Sequence, residues 1–146
     1  MKRFAIAIVA VAALTIAQNA SAHCQIPCGI YGDDARFKEL LEHVTTIRKS
    51  IKTINELGVA KEKNFNQIVR WVKNKEAHAD KISEIVLKYF LAQRIKSTQP
   101  HYKDKLVALH QIIVLSMKAK QGTDPATADK LEKAVKAFQG LYTHKH

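Results

Sequence analysis

Apolar residues recur every three or four positions through most of the chain that follows Asp33. This spacing is typical of amphipathic helices, because residues three and four apart lie on the same helix face. The pattern predicts a first helix that begins at Asp33 and ends at Gly58, and a second that runs from Phe65 to the break at 96–100. The apolar positions are Phe37, Leu40, Leu41, Val44, Ile47, Ile51, Ile54 and Leu57 in the first helix, and Phe65, Ile68, Val69, Val72, Ala79, Ile82, Ile85, Val86 and Phe90 in the second.

Two further helices are predicted in the remainder of the chain. Gly122 ends the third helix, and Asp124 with Pro125 forms a typical N-cap and first turn for the fourth. The apolar positions are Leu106, Leu109, Ile112, Ile113 and Met117, then Leu131, Val135, Phe138 and Leu141. Trp71 is assigned to the core or to an interface. Because the connections are short and no stretch alternates as a strand does, residues 33–143 are predicted to form an all-α, antiparallel up-down four-helix bundle.

The chain is basic, with 24 Lys and Arg against 13 Asp and Glu and a formal charge of +11. The basic residues recur among acidic ones at helical intervals, which is typical of a solvated face. A positive field would also raise the rate at which a small anion meets the protein. No nucleic-acid-binding motif accompanies the charge, so nucleic acid is not expected as a partner. The basic positions interpreted in this way include Arg36, Lys38, Arg48, Lys49, Lys52, Lys73, Lys75 and Lys81.

Residues 1–22 have the form of a cleaved signal peptide. Lys2 and Arg3 precede an apolar run over 4–17, and 20–22 reads Ala-Ser-Ala, a typical cleavage site. The run is shorter than the roughly 20 residues that cross a bilayer, so an uncleaved anchor is the weaker alternative. Cleavage would leave a periplasmic or secreted protein of residues 23–146 without stable membrane anchoring, and its formal charge would fall from +11 to +9 with the loss of two basic residues.

Residues 23–31, here called the hook, contain both cysteines of the chain and would begin with a free amine at His23. The amine, the imidazole of His23 and the thiolates of Cys24 and Cys28 are donors that suit a late first-row metal. The amine and the Cys24 sulfur flank the Cys24 amide nitrogen. A metal bound to all three would lie in two fused five-membered rings, with Cys28 closing a square plane. That geometry favours nickel or copper over zinc, which prefers a tetrahedron.

A disulfide between Cys24 and Cys28 is the alternative interpretation, since exported proteins often contain such bonds. The mature chain is, however, large enough to bury a core without a covalent link. A loop of this size at a terminus would also stabilise the fold very little. No Glu-x-x-His pairs are present that would build a di-iron centre inside the bundle.

The hook reads His-Cys-x-x-Pro-Cys-Gly-x-Tyr, which specifies six of nine positions directly after a cleavage site. In this it resembles the nickel hook of the nickel-containing superoxide dismutases. The segments 100–102, 109–111 and 124–127, which read Pro-His-Tyr, Leu-His-Gln and Asp-Pro-Ala-Thr, are also similar to that family. The resemblance therefore covers most of the mature chain.

The resemblance implies a homohexameric enzyme that dismutes superoxide through a Ni(II)/Ni(III) couple. It implies that the His23 amine, the Cys24 amide and the thiolates of Cys24 and Cys28 are equatorial nickel ligands. It further implies that the His23 imidazole is the axial ligand of the oxidised state and that Tyr31 flanks the approach of substrate. Glu39 lies at the position of a glutamate behind the axial histidine, while no arginine partner is assigned. Gln25 occupies a position that is often acidic in the family.

Two other functions stay open at this point. The hook could capture nickel or copper for trafficking without turnover, or the protein could be a structural helical protein with a disulfide. The remaining histidines are interpreted as surface or hydrogen-bonded core residues, apart from two at the C-terminus that could bind metal adventitiously. They are His43, His78, His101 and His110, and then His144 and His146.

Overall fold

The computed structural model describes residues 32–143, which are helical except for short connections. Three of the four helices are α-helical throughout, and the second continues without a break into a π-helical segment. The elements are α1 (Asp33–Val59), α2 (Phe65–Glu84), the π segment (Ile85–Arg94), α3 (Tyr102–Gln121) and α4 (Pro125–Thr143). The four predicted helices are confirmed, with no strand among the described residues.

The helices form a ring in which each packs against the next and α4 packs back against α1. The connections between them are short, at 60–64, 95–101 and 122–124. Short connections place consecutive helices antiparallel, and the ring buries the apolar stripe of each helix in one shared core. The predicted all-α, up-down four-helix bundle is therefore confirmed.

Aromatic side chains fill the end of the core at which α1 begins and α4 ends. Phe37, Phe90 and Phe138 are essentially fully buried, and the partly buried Tyr142 packs against all three. Neighbouring ring centroids in this group lie between 4.9 and 5.6 Å apart. Burial of each phenyl ring contributes about 1.5–3 kcal/mol, so this cluster is a main source of stability at that end.

The start of α4 follows the sequence prediction. The side chain of Asp124 accepts a hydrogen bond from the backbone N–H of Ala126 at 3.0 Å, and its carbonyl accepts one from Thr127 at 3.1 Å. Pro125 occupies the first helical position, where its missing N–H costs nothing. Gly122 ends α3, also as predicted.

Lys75 is not on a solvated face, so that prediction is wrong for this residue. Its side chain is 2% exposed, and its Nζ donates to the carbonyl oxygens of Lys120 and Gly122 at 2.8 Å each and to that of Ala119. Carbonyl groups at the end of a helix lack intrahelical partners. The ammonium group of Lys75 supplies the hydrogen bonds that water would otherwise provide at the end of α3.

Three residues of the predicted apolar faces are exposed. Phe65 is 69%, Val69 is 52% and Met117 is 48% exposed, so assigning them to the buried face was wrong. No residue of α2 before Lys75 is buried, which means that the core begins only after the first turns of that helix. Trp71 is half-buried outside the core, with the Nζ of Lys49 lying 5.8 Å from the centroid of its ring.

The π segment replaces the continuous α-helix that the apolar spacing predicts. Its hydrogen bonds join residues five apart, as in the bond of 3.0 Å from the N–H of Ile95 to the carbonyl of Phe90. Such segments are rare and are frequently found at functional sites. None of the helices between Asp33 and Thr143 is long and apolar enough to cross a membrane.

Candidate metal centre and the bundle end that supports it

The predicted metal ligands His23, Cys24 and Cys28 lie outside the described residues, as do Tyr31 and the predicted signal peptide. The assignments for these residues stay predictions. The structure does describe the place where the hook joins the bundle. Gly32 has a φ of 71°, in the region that favours glycine, and Asp33 follows it as the first residue of α1. The hook therefore precedes directly, along the chain, the end of the bundle that contains Asp33.

Asp33 is the centre of a set of side chains that we call the Asp33 cluster, formed by Asp33, Tyr89, Arg94 and Tyr142. Its Oδ1 accepts a hydrogen bond from the hydroxyl of Tyr89 at 2.5 Å, and its Oδ2 accepts one from the hydroxyl of Tyr142 at 2.7 Å. The Nε of Arg94 lies 3.1 Å from Oδ1, an ion-pair distance without the alignment of a hydrogen bond. The cluster joins the start of α1, the π segment and the end of α4.

Arg94 also orients the hydroxyl of Tyr89. Its Nη2 donates to the Tyr89 oxygen at 3.0 Å, and its guanidinium carbon lies 5.0 Å from the centroid of that ring. Because the oxygen accepts from Arg94, its own hydrogen is free to bond to Asp33. The buried side chain of Lys105 from α3 also reaches this end, with its Nζ 5.8 Å from the centroid of the Tyr142 ring. All four helices thus meet at this end of the bundle.

The charges of the Asp33 cluster follow from these contacts. Burial raises the pKa of Asp33, but the hydrogen bonds from Tyr89 and Tyr142 and the charge of Arg94 outweigh it, so the pKa lies below its usual value. Burial and the hydrogen bonds to the carboxylate raise the pKa of both tyrosines. At neutral pH the cluster therefore contains an ionised carboxylate, a guanidinium group and two neutral phenols.

Glu39 lies on the next turns of α1. Its Oε2 forms an ion pair with Arg36, and its Oε1 lies 3.9 Å from the Nε2 of His43. Glu39 was predicted to lie behind His23, with no arginine partner assigned. The structure pairs Glu39 with Arg36, and a spacing of three residues on a helix is the sequence signal for such an ion pair.

His43 and His78 form a hydrogen-bonded pair between α1 and α2, with their Nδ1 atoms 3.0 Å apart. Burial lowers the pKa of both rings, and for His43 the neighbouring His78 lowers it further. The interpretation of these two residues as hydrogen-bonded histidines is confirmed. His101 lies 3.3 Å from a carboxylate oxygen of Asp104, and His110 is exposed, as expected.

Between Gly32 and Thr143, no three side chains of His, Cys, Asp or Glu come together in a way that could hold a metal ion. The hook has an imidazole and two thiols within six residues, and the predicted cleavage before His23 would add a primary amine. Thiolates and nitrogen donors are the ligands that late first-row metals such as nickel prefer. The chemistry of this donor set fits a nickel ion.

Comparison with known protein families matches residues 18–146 to the family described as nickel-containing superoxide dismutase. The matched region includes both the hook and the four helices. No curated protein and no solved structure matches the chain significantly. Because the match covers most of the chain, the protein belongs to the nickel-containing superoxide dismutase family, and it is an oxidoreductase with a nickel cofactor and superoxide as its substrate.

Proposed function

We propose that the protein, once cleaved before His23, dismutes superoxide at a nickel ion held by His23, Cys24 and Cys28. The observation that carries the proposal is the family match, which includes the hook together with the bundle. In the overall reaction one superoxide loses an electron and leaves as oxygen. A second superoxide gains that electron and two protons and leaves as hydrogen peroxide.

Nickel bound in the hook would supply an electron acceptor and donor by alternating between Ni(II) and Ni(III). The thiolates of Cys24 and Cys28 are anionic donors, which favour the higher oxidation state. Cleavage changes the His23 nitrogen from a peptide amide, which binds a metal only after losing its proton, into a primary amine with an available lone pair. The donor set therefore depends on processing as well as on sequence.

The remaining residues position the hook and attract the anionic substrate. Tyr31 would flank the path of superoxide, and the Asp33 cluster holds the start of α1 two residues further along the chain. The formal charge of +9 on residues 23–146 would raise the rate at which an anionic substrate reaches the protein. This contribution is expected to weaken as salt increases.

Export and assembly belong to the same proposal. The predicted signal peptide would deliver the protein to the periplasm or outside the cell. The hook has only nine residues, so it cannot bury much surface of its own. A neighbouring subunit of a homohexamer would supply the surface that orders it.

The test uses the mature protein with Cys24→Ser and Cys28→Ser, each made singly, and Gln25→Ser as the matched hook variant that removes no proposed ligand. Nickel stoichiometry, superoxide turnover and helical circular dichroism are measured for all of them. We expect both cysteine variants to lose nickel and turnover with unchanged helicity, while Gln25→Ser retains nickel.

The other outcomes distinguish the alternative functions. Bound nickel without turnover in the wild type would favour metal storage or trafficking. Loss of helical structure in the cysteine variants would favour a structural disulfide. Full turnover in either cysteine variant would contradict the assignment of the ligands.

A further inference from the structure

We infer that Asp33, Arg94 and Tyr142 are positioning residues for the nickel site, because they fix the point and direction at which the hook leaves the bundle. The inference rests on the proposed function of the hook. It assigns a role in that function to three residues from the start of α1, the π segment and the end of α4.

The ligands proposed for nickel lie close to Asp33 along the chain. Cys28 precedes Asp33 by five residues. Five extended residues span at most about 18 Å, so the Cα of Cys28 lies within that distance of the Cα of Asp33. Metal sites require their ligands to be held to within fractions of an ångström by surrounding residues. A fixed start of α1 removes one source of movement from a short segment that must meet this requirement.

Asp33 is held on every side of its carboxylate that faces the bundle. Both of its carboxylate oxygens accept hydrogen bonds from tyrosine hydroxyls, at 2.5 and 2.7 Å, and the donors come from two other elements. The side chain is one-third exposed, so its ion pair with Arg94 is partly desolvated. A carboxylate that only offset the helix dipole at the start of α1 would need none of these partners. The contacts instead fix the position of Asp33 relative to the whole bundle end.

Asp33 differs in its contacts from the next residue, Asp34. Asp34 carries the same charge in the same first turn of α1, but it is exposed. Any effect on the helix dipole is shared by the two residues. Only Asp33 is held by the tyrosines and by Arg94. Asp34 therefore provides a matched control for the removal of one negative charge at this helix end.

Arg94 makes two contacts within the Asp33 cluster. It pairs with the carboxylate of Asp33, and it donates to the hydroxyl of Tyr89 whose hydrogen then bonds to Asp33. Lysine could replace the charge but not both contacts, since it lacks the planar arrangement of donors that arginine has. Arg94→Lys should therefore rescue only part of the loss that Arg94→Gln produces.

The experiment follows the release of nickel from loaded mature protein to an excess of chelator, using the thiolate-to-nickel absorption, well below the midpoint of thermal unfolding. A purely structural role would lower the unfolding midpoint without changing this rate. For Asp33→Asn we expect release to be about tenfold faster, equivalent to ~1.4 kcal/mol. Tyr142→Phe and Arg94→Gln should accelerate release several-fold, Arg94→Lys less, and Asp34→Asn should match the wild type.

Equal release rates for Asp33→Asn and Asp34→Asn would overturn the inference while leaving the proposed function intact. A wild-type protein that binds no nickel would overturn the proposed function instead. If Asp33→Asn does not fold, Tyr142→Phe decides the matter, because it removes a single hydroxyl group from a partly exposed ring. Release from that variant at the wild-type rate would then contradict the inference.

Discussion

His43 and His78 share a hydrogen bond between their Nδ1 atoms across the contact of α1 with α2. In this hydrogen bond one Nδ1 donates a hydrogen and the other accepts it. The accepting ring must therefore stay neutral, and only the donating ring can carry a second proton without breaking the bond. A second proton would bring two N–H groups face to face at 3.0 Å. Glu39 and Glu42 of α1 favour protonation of His43, while Lys81 of α2 opposes it.

The pair predicts a loss of stability on mild acidification. The pKa of both rings lies below the ordinary value of 6.5 in the folded protein, so the unfolded chain binds more protons just below that pH. The free energy of unfolding should then be fully retained above about pH 6.5 and should fall as the pH decreases from there. Urea unfolding between pH 8 and pH 5 measures this dependence.

The control for this prediction is the exposed His110. His78→Gln should flatten the pH dependence between pH 6.5 and pH 5, whereas His110→Gln should leave it unchanged. An identical pH profile for His78→Gln and the wild type would mean that the pair does not govern stability in this range.

Removal of the Lys75 ammonium group should destabilise the bundle. Lys75→Met leaves carbonyl oxygens at the end of α3 buried without the donor that now bonds to them. Loss of a buried charged donor costs about 2–4 kcal/mol, which chemical denaturation measures directly. Lys73→Met is the matched control, because that lysine is exposed on the same helix and its loss should change stability by at most about 0.5 kcal/mol. Equal stabilities for the two variants would refute the role given to Lys75.

Processing should be required for activity, because the amine of His23 becomes a donor only when the preceding peptide bond is cut. We expect intact-mass measurement of active protein to begin at His23. Protein that retains Ala22 should bind no nickel and should not turn over superoxide. Normal turnover by the extended protein would contradict this prediction.

The roles of His23 and Tyr31 should separate in mutants of the mature protein. His23→Ala retains the amine, so nickel should still bind, but turnover should fall at least tenfold, or by about 1.4 kcal/mol of barrier. Tyr31→Phe removes one hydroxyl near the substrate path, so turnover should fall less and the nickel content should not change. Tyr102→Phe serves as a control in the bundle. Nickel content and superoxide turnover are measured for both variants in parallel. If Tyr31→Phe loses more turnover than His23→Ala, the roles assigned to His23 and Tyr31 are wrong.

The sequence predicted the features that depend on neighbouring residues. The spacing from Phe37 to Ile54 predicts α1 because burial on a helix repeats every three to four positions. The donor set proposed for the hook was predicted for the same reason, since His23, Cys24 and Cys28 lie within six residues. In both cases the physical cause is local along the chain.

The features that the sequence missed depend on distant partners. The carbonyl groups that hold Lys75 come from α3, more than 40 residues later, and a lysine among charged neighbours looks solvated until those groups are known. The ion pair of Asp33 with Arg94 joins α1 to the π segment in the same way. No spacing rule connects positions that only the tertiary fold brings together.

The π segment determines more than the path of the chain. In an α-helix, residues five apart point about 140° away from each other, because each residue turns the helix by about 100°. The π-helical hydrogen bonds join residues five apart, which places Tyr89 and Arg94 one above the other on a single face. The hydrogen-bonding pattern between a tyrosine and an arginine therefore matters as much as their identities. If the same residues formed a regular α-helix, Tyr89 and Arg94 would point about 140° apart and lose their contact even though both side chains were retained.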